Sequence, residues 1–393
     1  MSEWNINFKP FSELLSNVVD NRGKTCPTAP SGPALIATNC IKNDNLYPVY
    51  ENVRYVSDET YKTWFRGHPL PGDLIFVTKG TPGRVCLVPS KVDFCIAQDM
   101  VAIRAANKKV NPKYLFAALR SAEVQSEIEN LHVGSLIPHF KKGDFDKLQI
   151  PLPERELQEY IGEQYFTFSA KIDLLHRQNK TLEGMAEAVW RKMFVEEADP
   201  GWKKGKLGDI AAINPLRSIK KGAIATYLDM SNMPTNGPFP KACAQREFSS
   251  GMKFKNGDTI IARITPCLEN GKTAYVNFLN HEEIAWGSTE YIVLAPKAGY
   301  CSEWYYFLAI NDDFRDFAIQ NMTGTSGRQR VSGDSIAQYE IVIPPVNIFE
   351  RFRTFAGPVM EHIKHNSFQI RTLSRLRDTL LPKLMSGEVR VIP

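Results

Sequence analysis

Two long stretches of the chain place apolar residues at helical steps, and most of the remainder alternates in short strand-like runs. From Glu154 to Phe194 the residues Ile161, Tyr165, Phe168, Ile172, Leu175, Asn179, Leu182, Met185 and Val189 recur at steps of three or four. From Val346 to Met385 the corresponding series is Phe352, Ala356, Val359, Ile363, Asn366, Ile370, Leu373, Leu376 and Leu380. Both are heptad-like seams and predict two long helices that pair with each other. Each seam carries one asparagine, Asn179 or Asn366, and a buried asparagine fixes register in coiled coils. Proline pairs, Pro151/Pro153 and Pro344/Pro345, mark the strand-to-helix boundaries in front of them.

The segments before these helices repeat as well. "GDLIFVTKGTPGRVCLV" from Gly72 parallels "GDTIIARITPCLENGKTAYV" from Gly257. Each reads as a Gly-Asp turn, a strand, a Thr-Pro bend, a glycine followed by Arg84 or Lys272, and a second strand. "CIAQDMVAIRA" and "WGSTEYIVLAP" follow as strand-like runs. Then "NPKYLFAALRS" and "CSEWYYFLAIN" open short helices, with caps expected at Asn111 and Ser302. Finally "VGSLIPHFKKGDFDKLQIPLP" from Val133 is matched by "TGTSGRQRVSGDSIAQYEIVIPP" from Thr323, about 190 residues on. The first seventy residues match "WKKGKLGDIAAINP…TYLDMSNM" only loosely.

This pattern predicts an α+β protein with a pseudo-two-fold internal repeat. Two similar mixed α/β domains, residues 1–153 and 199–345, alternate with helices at residues 154–198 and 346–393. A two-fold relation between the halves makes the helices antiparallel. At ~1.5 Å per residue, roughly 35 helical residues give a spacer of about 50 Å in a dumbbell arrangement.

Composition narrows the function. The 393 residues are 43% hydrophobic and 23% charged, as in a soluble globular protein, and no apolar run is long enough to span a membrane. The start "MSEWNINFKPF" does not read as a signal peptide. Seven scattered cysteines without a Cys-x-x-Cys pair fit reduced thiols in a cytoplasm. A net charge of +5 and a pI of about 8.7 are compatible with an anionic partner without requiring one.

Catalytic signatures are missing. "PCLENGKT" lacks the glycine that a phosphate-binding loop needs at Pro266, and strand-like residues follow it, so a hairpin with an exposed Lys272 is expected. "INPLR" (Ile213 to Arg217) lacks the second proline and the aromatic residue of an amino-methyltransferase motif. His362 and His365 stand three apart on the second helix and are expected on a solvated helix face, not at a metal.

What remains is a set of polar, cationic loops at matching repeat positions. In the second half Thr323, Thr325, Ser326, Arg328, Gln329 and Arg330 crowd one loop, with Arg263 and Lys272 from the hairpin before it. In the first half the equivalents are Lys79 and Arg84, then Ser135, His139, Lys141 and Lys142. Arg and Gln can read guanine and adenine edges bidentately, while Thr, Ser and glycine amides suit phosphate. Any one of these residues reads equally as ordinary solvated loop charge, and the two parallel clusters make the group more persuasive than its members.

The order of Gly-Asp strand, Gly-Lys hairpin, "TGTSGRQRVS" loop, "IVIPP" strand, long helix and terminal "LLPKLMSGEVRV" resembles the specificity subunit of type I restriction–modification enzymes over essentially the whole chain. The resemblance implies that each half carries a target-recognition domain for one part of a split sequence in double-stranded DNA. The helices would form the spacer and dock two methyltransferase subunits that methylate adenine with S-adenosylmethionine. Restriction subunits, where present, would use ATP and Mg and cleave unmethylated DNA. The chain itself would bind no cofactor and catalyse nothing. Family helices often carry Glu-Gln after the proline; here Gln158 is kept, but Phe349 stands at the aligned position. Different loops in the halves, "GSLIPHFKKGD" and "GTSGRQRVSGD", imply different half-sites. The competing readings are a stand-alone DNA-binding regulator, a nucleotide hydrolase built on "PCLENGKT", and a protein–protein scaffold.

Overall fold

The computed structural model describes residues 7–21, 23, 25–96, 98–131, 138–325, 327–386, 388 and 389. The chain divides into two compact units, Met1–Leu174 with Thr372–Pro393, and Leu175–Arg371. Each of the two units is built around its own core.

In unit 1, four antiparallel strands lie in the order Leu15–Val19, Met100–Ala105, Leu74–Val77, Val85–Leu87. All four residues of Leu74–Val77 are buried because the strand is covered on both faces. Leu74, Phe76, Val101 and Ile103 point into one cluster with the helix Pro112–Leu119, while Ile75, Val77, Met100 and Ala102 point into another with Ile36, Phe94 and Ile96. A doubly covered strand therefore reads as a continuous apolar run instead of an alternation. The second face is closed by a three-stranded sheet in which Ala29–Ile36 pairs with Arg54–Tyr55 and, in parallel, with Phe94–Ile96.

Unit 2 repeats this plan. Its antiparallel sheet has the order Ala211–Ile213, Tyr291–Pro296, Thr259–Ala262, Thr273–Tyr275, and its second sheet the order Ala244–Glu247, Ile224–Leu228, Ala285–Gly287, Met252–Phe254. Ile224–Leu228 pairs in parallel with Ala285–Gly287, as Ala29–Ile36 does with Phe94–Ile96. The repeat therefore reaches back into the first seventy residues, where sequence likeness is loose. "CIAQDMVAIRA" and "WGSTEYIVLAP" each form two strands that belong to different sheets. Asn111 caps its helix by accepting from the Tyr114 N–H, but the second helix begins at Ser302 itself, with Cys301 as the cap residue.

The duplicated Gly-Asp turns are structural. Asp73 is buried and binds Arg104 through both oxygens, at 2.8 and 2.9 Å. Asp258 is buried and binds Arg217 in the same two-pronged way. Each acid also accepts a turn N–H, from Leu70 or Lys255. Gly72 and Gly257 take φ of 82° and 93°, where a side chain is strained. "INPLR" is accounted for by the same packing: Asn214 exchanges hydrogen bonds with the Val293 backbone, and Arg217 serves Asp258.

The two long helices pack antiparallel. The first runs Arg155–Arg191 and continues as a π-helical turn, Lys192–Glu196; the second runs Val346–Met385. Within unit 1 the start of the first helix (Ile161, Tyr165) shares a core with the end of the second (Leu381, Leu384). Within unit 2 Phe194 lies 5.5 Å from Phe349 and 5.4 Å from Phe352, ring to ring. The seam asparagines meet: Asn366 Nδ2 donates to Asn179 Oδ1 at 2.9 Å. Ile161, Ile172, Leu175, Phe352 and Ile363 are buried, and Phe168, Leu182, Val189, Val359, Ile370, Leu373 and Leu380 half-buried. Two seam positions are corrected, because Met185 and Leu376 are about half exposed. Ala186 and Trp190 fill the first place, and Arg377, 5.4 Å above the Tyr165 ring, fills the second.

The aligned residues Gln158 and Phe349 both face inward. Gln158 accepts from the Asn111 N–H and donates to the Pro153 carbonyl. Phe349 packs on Phe194, Tyr300 and Trp304. Their difference is therefore one of core packing. Among the described residues no helix is long and apolar enough to cross a membrane.

Candidate nucleic-acid interface

In each unit the end of the buried central strand meets the cationic loop through one hydrogen-bond register. In unit 1 the Phe140 N–H donates to Thr78 O and the Gly80 N–H to Pro138 O. In unit 2 the Val331 N–H donates to Arg263 O and the Thr265 N–H to Gln329 O. Lys79 thus faces His139, and Ile264 faces Arg330. Phe140 and Val331, both fully buried, anchor the loops. His139 corresponds to Arg330 in this register, so the Gly-Asp dipeptides downstream fall one residue out of step.

The unit 2 loop is closed by reciprocal Thr323–Arg330 backbone hydrogen bonds of 2.9 Å. Gly324 and Gly327 take φ of 125° and 77°, which lets the chain fold back within eight residues. Thr325 and Arg328 are exposed, and Gln329 and Arg330 half-exposed. Ser326 lies outside the described residues, as does Ser135 in unit 1.

Two of the expected DNA contacts, Arg330 and Lys272, are engaged within the chain. Arg330 forms a forked ion pair with Glu290. Lys272 is half-buried, not exposed, and its ammonium donates to the Met230 carbonyl at 2.6 Å. "PCLENGKT" joins the antiparallel strands Thr259–Ala262 and Thr273–Tyr275, so the hairpin expectation holds. Arg263 is half-buried, and its Nε has no hydrogen-bond partner among the described residues.

In unit 1, Lys79, Lys141 and Lys142 are exposed, His139 and Arg84 intermediate. Lys79 and His139 line an open cleft of about 490 Å³ with Asp20, Arg66, Gln98 and Asp99. Lys141 stands at the start of the one-turn helix Lys142–Asp144, its N–H donating to Asp144. Glu290, Asp99, Arg66 and Gln98 are the residues that sequence reasoning missed. The two acids had a legible signal: each stands directly before the strand that pairs with the central one, in "AQDMV" and "STEYI".

The arrangement offers hydrogen-bond donors and cations on backbone held by sheet hydrogen bonds, which suits base-edge and phosphate contacts. Burial pushes the Cys95 and Cys301 thiols up to about 12 and Cys243 to about 11, which disfavours their thiolates. Among the described residues no cluster of His, Cys, Asp and Glu could hold a metal ion. His362 and His365 are exposed on the second long helix.

Comparison with known proteins places the chain in a family. A family model, "Type I restriction modification DNA specificity domain", matches residues 29–184 and again 200–358. The type I restriction enzyme MjaIX specificity subunit of Methanocaldococcus jannaschii is 23% identical over 332 residues, covering 75% of this chain and 74% of that protein. The EcoAI specificity subunit of Escherichia coli is 29% identical over 161 residues, which span 39% of this chain and 27% of that one. In fold, the crystal structure of a type I restriction–modification S subunit from M. genitalium superposes with a TM-score of 0.57 at 15% identity, covering 98% and 97% of the two chains. With its domain matched in both repeats, over most of the sequence, the chain belongs to the type I restriction modification DNA specificity family.

Proposed function

We propose that this chain is the DNA-recognition subunit of a type I restriction–modification enzyme, with each unit reading one half of a bipartite target. The observation that supports this most directly is the double match of the specificity domain, one copy on each structural repeat. The matching loop-to-strand register supports it at the level of residues, because it puts cationic loops at the same place in both units. Lys79, Arg84, Ser135, His139, Lys141 and Lys142 serve the first half-site in this reading. Arg263, Lys272, Thr325, Ser326, Arg328, Gln329 and Arg330 serve the second. The different loops favour an asymmetric target.

Catalysis belongs to partners in this reading. Two methyltransferase subunits use S-adenosylmethionine to methylate adenine, and restriction subunits, where present, use ATP and Mg. The internal repeat favours two catalytic partners, since it supplies two similar docking surfaces. Mixed with its methyltransferase, the purified chain should form a complex that methylates duplexes carrying the target. Alone, it should transfer no methyl group and cut no DNA. Methyl transfer by a preparation proven free of partner subunits would overturn this division of labour.

A further inference from the structure

Arg330 engages three of its five guanidinium N–H groups within the chain. Its Nε donates to both oxygens of Glu290, at 3.0 and 2.9 Å, and its Nη2 to Oε1 at 2.7 Å. Nη1 donates to the Arg328 carbonyl at 3.0 Å. A guanidinium carries five N–H groups in a rigid plane, so one remains on each terminal nitrogen. When the Arg328 carbonyl takes the Nη1 hydrogen on the Cδ side, those two lie side by side as the fork whose spacing matches O6 and N7 of guanine.

Two features speak against an incidental surface ion pair. The Arg330 and Glu290 side chains are 40% and 25% exposed, and a pair this wet contributes little to stability. A carboxylate on a DNA-facing surface also repels phosphate, so its presence lowers general affinity. What it supplies is orientation: a long, flexible side chain held in one rotamer loses less entropy on binding. The corresponding place in unit 1 also carries an acid. The Thr78 N–H donates to Asp99 O as the Arg263 N–H does to Glu290 O, and Asp99 lines the cleft that His139 enters.

We propose that Glu290 is a positioning residue that presents the free fork of Arg330 to a guanine in the half-site read by unit 2, with Asp99 holding the equivalent position beside His139 in unit 1. The inference rests on the DNA-recognition reading above. Histidine has no fork, so unit 1 makes at most a single hydrogen bond at that position, and the two half-sites differ there.

The test is selection from a random duplex library by the full-length chain assembled with its methyltransferase, followed by sequencing of bound DNA. Arg330→Ala should abolish a guanine preference at one position, where a bidentate contact gives roughly 5- to 150-fold discrimination. Glu290→Gln, which keeps shape and removes charge, should weaken the same preference by about 5-fold or more, with binding to random DNA unchanged or tighter. The double variant should be no worse than Arg330→Ala, because Glu290 acts through Arg330. Glu290→Asp, which withdraws the carboxylate by one methylene, should fall between parent and Glu290→Gln, and serves if Glu290→Gln fails to fold. Base preferences unchanged in the Glu290 variants, or altered only at positions that Arg330→Ala leaves alone, would overturn the positioning role while leaving DNA recognition intact. A parent chain with no sequence preference at all would overturn both.

Discussion

Replacing Asp258 with alanine should destabilise unit 2 by about 3–5 kcal/mol and leave unit 1 unaffected, because it strands a buried guanidinium. The Arg217 and Asp258 side chains are only 8% and 2% exposed, so neither charge can turn to water. Burial pushes the Asp258 carboxyl above its ordinary range while Arg217 pulls against it, the balance expected of a desolvated pair. Amide exchange in Thr259–Ala262 should accelerate by at least about 100-fold, each ~1.4 kcal/mol being tenfold. Exchange in Leu74–Val77 serves as the internal control. Replacing both partners, Arg217→Met with Asp258→Leu, should cost far less than the single change, because no charge is left unpaired. Arg104 is 37% exposed, so Asp73→Ala should be the milder of the two alanine variants. Equal exchange rates in parent and Asp258→Ala would contradict the assignment.

Phe349→Gln should also cost about 3–5 kcal/mol, although it installs the residue type found at the aligned position of the first helix. Phe349 is fully buried, with ring centroids 5.1–5.6 Å from Tyr300, Phe194 and Trp304. Glutamine would lose those contacts and leave an amide without partners, whereas Gln158 has the Asn111 N–H and the Pro153 carbonyl to satisfy it. A melting point lowered on the order of 10 °C is the expected reading. An undiminished melting point, combined with tighter binding of a methyltransferase subunit, would show instead that position 349 serves a partner.

The repeat was legible from Gly72 onward because its turns demand particular residues: a glycine at positive φ and an aspartate buried against an arginine. Earlier segments repeat in structure without such demands. Asn7–Pro10 and Lys203–Lys206 are mostly exposed ladders, paired to Gln149–Leu152 and Glu340–Ile343 through backbone groups that any sequence supplies. The helical seams were readable from spacing, but a step of three or four cannot distinguish Leu376 from its neighbour Arg377. That choice depends on the Tyr165 ring beneath it. Cationic loops were visible as clusters in the sequence. Their internal partners were not, since Glu290 lies 40 residues from Arg330 and Met230 lies 42 from Lys272. Only the folded register brings those groups together.

The central claim is that this chain determines which DNA sequence its enzyme modifies, and single-molecule sequencing of methylated adenines in the host genome tests it most directly. Deleting the gene should remove methylation from one bipartite motif with two different half-sites, and restoring the parent chain should return it. Complementation with Arg330→Ala should return the motif with one position relaxed, confined to a single half-site. A methylome that keeps every motif after deletion would contradict the account.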